Sequence, residues 1–245
     1  MKDQEIKIIF QNHGIIIVDK PAGVLTTPPR FSSDPRPVLG LQLQKKLGQQ
    51  IFPVHRLDFE VSGLVIYALT ENAHRAFNKK FESRSVYKTY QAFSQADSIS
   101  QSQGSVENPA KELLNDIPRD QRFTWTSQII RGKKRSFESP AGAPSLTEGI
   151  RHLDIQHPDL GLVTPWSLFP MTGRPHQLRF EMYKHGYPIL NDILYSGKVI
   201  DDWENRIALR AVSLKFDNHS KGDRDFLEQW SIPAKFEVAN LLFER

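Results

Sequence analysis

The chain contains no cysteine in 245 residues. That excludes disulfides, thiolate nucleophiles and cysteine-ligated zinc or iron-sulfur sites. No two of its eight histidines stand four residues apart, the spacing that sets a metal-binding pair on one helical face. No apolar run approaches the roughly 20 residues needed to span a bilayer, and the start Met1-Lys2-Asp3-Gln4-Glu5 lacks the apolar core of a secretion signal. These absences predict a cytoplasmic protein with no membrane association. What remains, 39% hydrophobic and 24% charged residues, is the composition of a globular protein long enough for one large domain or two small ones.

Lysine and arginine number 32 against 28 acidic residues, a net charge of +4. So small an excess is only a weak pointer to a polyanionic partner, but its distribution says more. Arg131-Gly132-Lys133-Lys134-Arg135 is a basic knot, and Lys79, Lys80, Arg84 and Lys88 form a second. Each alone is most simply a solvated face. With Tyr87, Tyr90, Phe93 and Trp125 near them in sequence, they combine phosphate-binding charge with the stacking rings that unpaired RNA bases need.

Ile6, Ile8 and Phe10 alternate with polar neighbours and Gly14 to Asp19 follows, so the chain is expected to open with a strand pair stopped by Lys20-Pro21-Ala22-Gly23. Leucines 39, 43 and 47 predict a helix over 38–47, and Ala73, Ala76, Phe77 and Phe81 another over 71–84 with Thr70 as its cap. Strands are expected at 86–93, 124–131, 161–169, 207–216 and 226–232, and a helix at 177–185. The polar stretch 94–122 and the segment 132–147 are expected to be loops or insertions in a single domain spanning 1–245. Strands mixed with a few helices, without regular alternation, indicate an α+β fold with a largely antiparallel sheet.

Two polar islands interrupt apolar sequence. The first is His55-Arg56-Leu57-Asp58, followed by Ser62-Gly63, between short apolar runs; the second is Thr172-Gly173-Arg174-Pro175-His176-Gln177-Leu178-Arg179. Taken alone, Asp58 is most simply a turn carboxylate. Two such islands ask for a common explanation.

Together with Lys20-Pro21-Ala22-Gly23, Lys88-Thr89-Tyr90-Gln91-Ala92, Gly186 to Asp192 with Tyr195, Leu209-Arg210-Ala211 and Ile232-Pro233, these islands resemble, in order, the motifs of the RluA-type pseudouridine synthases, enzymes that isomerise uridine in RNA. The resemblance covers nearly the whole chain. It implies the pseudouridine synthase fold, a mixed and mostly antiparallel central sheet with flanking helices and an active-site cleft across its middle. It also implies no cofactor and no metal, and a stand-alone catalytic domain without the small amino-terminal RNA-binding domain of many members. Val61 stands where the family usually has threonine, Arg210 where it has histidine, and Phe180-Glu181 where it has an apolar residue and histidine.

By this resemblance Asp58 is the catalytic carboxylate, Arg179 the cation that pairs with it, and Tyr90 a ring to stack on uracil with a hydroxyl to relay a proton. The scheme requires these three to converge. Base extrusion is needed before a stacked uridine can react, and Arg56 is the residue implied to fill the vacated space or hold a phosphate. RNA contacts are also assigned to His55 and His176, for which a structural turn role is the alternative, and to Arg174, Arg131, Lys133, Lys134 and Arg135. The expected partner is ribosomal or transfer RNA, acted on by a monomer. Two other readings are a hydrolase using Asp58 with a histidine base, disfavoured by the lack of metal-ligand spacing, and a catalytically silent RNA-binding protein of the same fold, disfavoured because Asp58, Tyr90 and Arg179 are all present.

Overall fold

A computed structural model describes residues 6–29, 34–96 and 117–239. The chain forms two compact units. The first comprises Met1–Lys88, Glu204–Arg206 and Ala211–Ala239, and the second Thr89–Trp203 and Ile207–Arg210. Most of the expected stretch 94–122 lies outside the described residues.

In the first unit, β1 (Lys7–Gln11) pairs antiparallel with β2 (Ile15–Lys20), and β2 with β4 (Ser62–Ala68), Ile15 opposite Ala68 and Lys20 opposite Gly63. The short β3 (Phe52–Pro53) joins the edge of β4; β11 (Leu209–Phe216) lies beside β4 and pairs with β12 (Lys235–Glu237). Ile15 to Val18 are all buried, as a continuous apolar run requires of a strand covered on both faces. Helix α1 (Leu39–Leu47) buries Leu39 and Leu43 and ends at Gly48, while α2 (Glu71–Glu82) starts at Thr70, whose hydroxyl accepts from Ala73 N. Phe77 of α2 meets Phe216, Phe226 and Trp230 edge-on at 5.0–5.8 Å, closing the core over Ile17, Leu64 and Ile66.

Residues 226–232, expected as a strand, instead belong largely to helix α4 (Lys221–Gln229). Ser220 caps it by accepting from Asp223 N. Phe226, Leu227 and Trp230 then recur at helical spacing against the core, and Glu228 between them is exposed.

In the second unit, β5 (Val86–Gln95), β10 (Gly161–Pro170), β8 (Ala143–Arg151), β6 (Arg122–Arg131) and β7 (Ser136–Glu138) lie side by side in that order, with β9 (Ile155–His157) on β10. All these neighbours pair antiparallel. The expected loop 132–147 therefore contains β7 and the start of β8. Its prolines and glycines mark turns between short strands, and Gly132 N donates to Arg135 O to close the first turn. Helix α3 (Gln177–Lys184) packs six consecutive buried residues, Gln177 to Met182, against these strands. Among the described residues no helix is long and apolar enough to cross a membrane.

Candidate active site

The turn carrying Asp58 is held at alternate residues. His55 Nε2 accepts from Ile66 N at 3.2 Å, Leu57 N and O both bond Thr26 Oγ1 at 3.1 and 3.0 Å, and Phe59 O accepts from Gly23 N at 2.9 Å and Lys20 Nζ at 3.3 Å. Tyr67 OH in turn donates to Thr26 O at 2.7 Å. Residues 55, 57 and 59 are thus tied inward on either side of Arg56 and Asp58. Arg56 is exposed and Asp58 half-buried. Val61 N donates to Asp58 O at 3.2 Å, so the position where the family usually has threonine supplies a backbone bond and a buried apolar side chain.

Lys20 is the cation of this turn. It is wholly buried, and its ammonium donates to Pro21 O at 2.9 Å and Val24 O at 2.7 Å as well as to Phe59 O. Burial pushes it from the ordinary lysine value down to about 7, while the charges of Asp58 and Glu60 pull it back up. Neither Lys20 nor Thr26 is a site residue expected from the sequence. The Lys-Pro-Ala-Gly motif was the signal for Lys20; nothing local marks Thr26.

His55 is turned inward, stacked on Phe81 at 5.0 Å. Burial, with a smaller contribution from the charge of Lys88, lowers its imidazole to about 3. A neutral ring with Nε2 engaged by a backbone N–H fits the structural turn role, the alternative to an RNA contact.

In the second unit, Arg179 is buried and its guanidinium grips Asp192 with two bonds, Nε to Oδ2 at 2.7 Å and Nη2 to Oδ1 at 2.8 Å. The Tyr195 ring lies 5.5 Å from the guanidinium carbon, and Tyr195 Oη accepts from Ser136 N at 2.7 Å. Ser136 Oγ donates to Pro175 O at 2.7 Å. These bonds dock the β6–β7 hairpin on the segment that leads into α3. Tyr90 lies on β5 opposite Leu168, half-buried.

The hairpin turn presents Arg131, Lys133, Lys134 and Arg135, all exposed and, among the described residues, without a carboxylate partner. Arg131 Nη1 lies 3.1 Å from His176 Nδ1, which is also 3.2 Å from Tyr195 Oη. Arg135 lies over the Tyr183 ring at 5.9 Å, and Arg174 Nε donates to Pro144 O at 2.9 Å. Arg131 and His176 thus meet at the start of α3, while Arg135 reaches Tyr183 near its end. Glu181, in place of the family's usual histidine, is fully buried and accepts from Ser127 Oγ at 3.1 Å and Ser145 Oγ at 3.2 Å, so the departure carries its own partners.

The family described as RNA pseudouridylate synthase matches residues 14–184, and the chain belongs to that family. Its relatives place it in the RluA-type branch. It is 30% identical over 239 residues to "Dual-specificity RNA pseudouridine synthase RluA" of Vibrio parahaemolyticus, covering 97% of this chain and 87% of that protein. The protein of the same name from Vibrio vulnificus is 31% identical over 234 residues, covering 96% and 85%. The solved structure of human RNA pseudouridylate synthase domain containing 1 superposes with a TM-score of 0.62 at 22% identity, over 89% of this chain and 82% of that one, and supports the fold. The chain is an RNA pseudouridine synthase, an isomerase of the α+β pseudouridine synthase fold.

Proposed function

We propose that Asp58 is the catalytic carboxylate and that the substrate is a uridine in structured ribosomal or transfer RNA. The observation that carries the reading is the pinning of residues 55, 57 and 59, which fixes the turn around a half-buried Asp58. Isomerisation breaks the bond between uracil N1 and ribose C1′, rotates the base and joins C5 to C1′; the C5 proton leaves to solvent and N1 gains one. An ionised carboxylate serves this by attacking the base, attacking the sugar or removing a sugar proton. In this scheme Arg179, aligned by Asp192, supplies positive charge to the reaction, and Tyr90 stacks on uracil and relays the C5 proton. Arg56 manages the space left by the extruded base, and Arg131, Lys133, Lys134, Arg135, Arg174 and His176 hold the backbone.

Tritium release from RNA labelled at uridine C5 tests this directly. The native protein is expected to release tritium and Asp58→Asn to release none while still binding RNA. Equal release by both would remove Asp58 from the chemistry, and no release by either would favour the silent RNA-binding alternative. Running ribosomal and transfer RNA separately assigns the substrate.

A further inference from the structure

Four lysines of the described chain are withdrawn from solvent, and three have partners. Lys20 meets three carbonyls, Lys80 meets Asp223 at 2.6 Å, and Lys184 meets Glu138 at 2.7 Å and Ser127 at 3.0 Å. The fourth, Lys88, is half-buried on β5 and has neither a hydrogen bond nor an ion pair among the described residues. Burial holds its ammonium below the ordinary lysine range, with no carboxylate among the described residues to oppose it. Its charge is felt by His55, at the head of the Asp58 turn, and that histidine is neutral and supplies no compensation. Lys88 stands two residues before Tyr90, on the same face of the strand.

A desolvated cation with no counter-ion is costly in a free protein, and such groups mark places where a ligand completes the charge. The anion at hand in an RNA-modifying enzyme is the phosphodiester. We propose that Lys88 is a substrate-binding residue that pairs with a backbone phosphate next to the reacting uridine. The role rests on the reading of the Asp58 turn as the reaction centre. It is distinct from that of the exposed hairpin cations. Those are solvated in the free enzyme and gain little from a phosphate that water does not already give them, whereas Lys88 has shed much of its hydration in advance and meets its phosphate at the turn where the base reacts.

The test compares native protein, Lys88→Met and Lys88→Arg, with an unmodified transfer-RNA transcript and a short oligouridylate as binding probes and C5 tritium release as the activity. Lys88→Met is expected to fold with undiminished thermal stability, because it removes an uncompensated charge. It should raise KM for RNA about tenfold and flatten the slope of log K against log salt by about 0.7–0.9, the contribution of one phosphate. Lys88→Arg should restore most of the affinity and the slope. An unchanged slope and KM in Lys88→Met would overturn the proposal, and so would a loss of folding in that variant, since it would show the charge to be compensated within the protein. If the native protein releases no tritium yet the slope change appears, the catalytic reading fails while phosphate binding by Lys88 stands.

Discussion

Asp192→Asn is the sharpest probe of how the second unit holds Arg179. Both side chains are almost fully buried, 2% and 1% exposed, and are joined by two bonds of 2.7 and 2.8 Å. An asparagine keeps one oxygen to accept a bond but turns an amide N–H₂ toward the other guanidinium nitrogen, donor against donor. The guanidinium stays charged, because arginine does not deprotonate in proteins. Breaking a buried pair from one side in this way costs about 3–5 kcal/mol, consistent with the loss of two charge-assisted bonds of about 1.5–3 kcal/mol each, one of them partly retained. For a chain of this size that corresponds to a fall in Tm of roughly 6–20 °C. Urea unfolding followed by circular dichroism measures it, with Glu237→Gln as the control. The Lys235–Glu237 pair is as short, at 2.6 Å, but 52% and 60% exposed, so its loss should cost less than about 1 kcal/mol. A loss at Asp192 no greater than that at Glu237 would refute the argument that burial, rather than distance, sets the strength of this pair.

Two further perturbations follow from the first unit. Gly63→Ala should destabilise by about 3 kcal/mol or more, since Gly63 has φ +113 and a Cβ there would lie 2.2 Å from Ala211 O and 2.6 Å from Ala211 N, backbone atoms that cannot swing aside. Gly48→Ala, with φ +65 and open space around it, should cost only about 1 kcal/mol. Calorimetric Tm values for the pair distinguish steric contact from backbone conformation alone. Lys20 makes stability depend on pH. The unfolded chain keeps that proton up to the ordinary lysine value of 10.5, the folded chain only up to about 7. Between those values unfolding takes up a proton and stability rises with pH; below about 7 the burial penalty is complete. Native protein should therefore gain up to about 1.4 kcal/mol per pH unit above pH 7 relative to Lys20→Met, and parallel stability curves from urea unfolding at pH 6 to 9 would contradict it.

Much of the fold is legible in the sequence where one residue and its near neighbours settle the matter, while the site is legible only as motifs whose roles remain proposals. The leucine spacing of α1, the Thr70 cap of α2 and the alternation of β1 are local patterns with local causes. The failures were also local in origin. Residues 226–232 form too short an apolar window to tell strand from helix, and the Ser220 cap that decides for the helix stands six residues before it. In 132–147, turn-forming residues dominate the composition, and the strands between them exist because β6 offers a pairing edge to both β7 and β8.

By itself the sequence determined that there is no thiol chemistry, that an acid and an arginine each stand in a polar island, and that these fall in the order of a pseudouridine synthase. Tertiary structure decided what those residues do with their charge. Lys20 reaches the carbonyl of Phe59, 39 residues away, Thr26 holds Leu57 across 31, and Arg179 closes on Asp192 across 13. A spacing along the chain cannot show which withdrawn cation has a partner and which, like Lys88, has none among the described residues, because desolvation is a property of everything packed around the group.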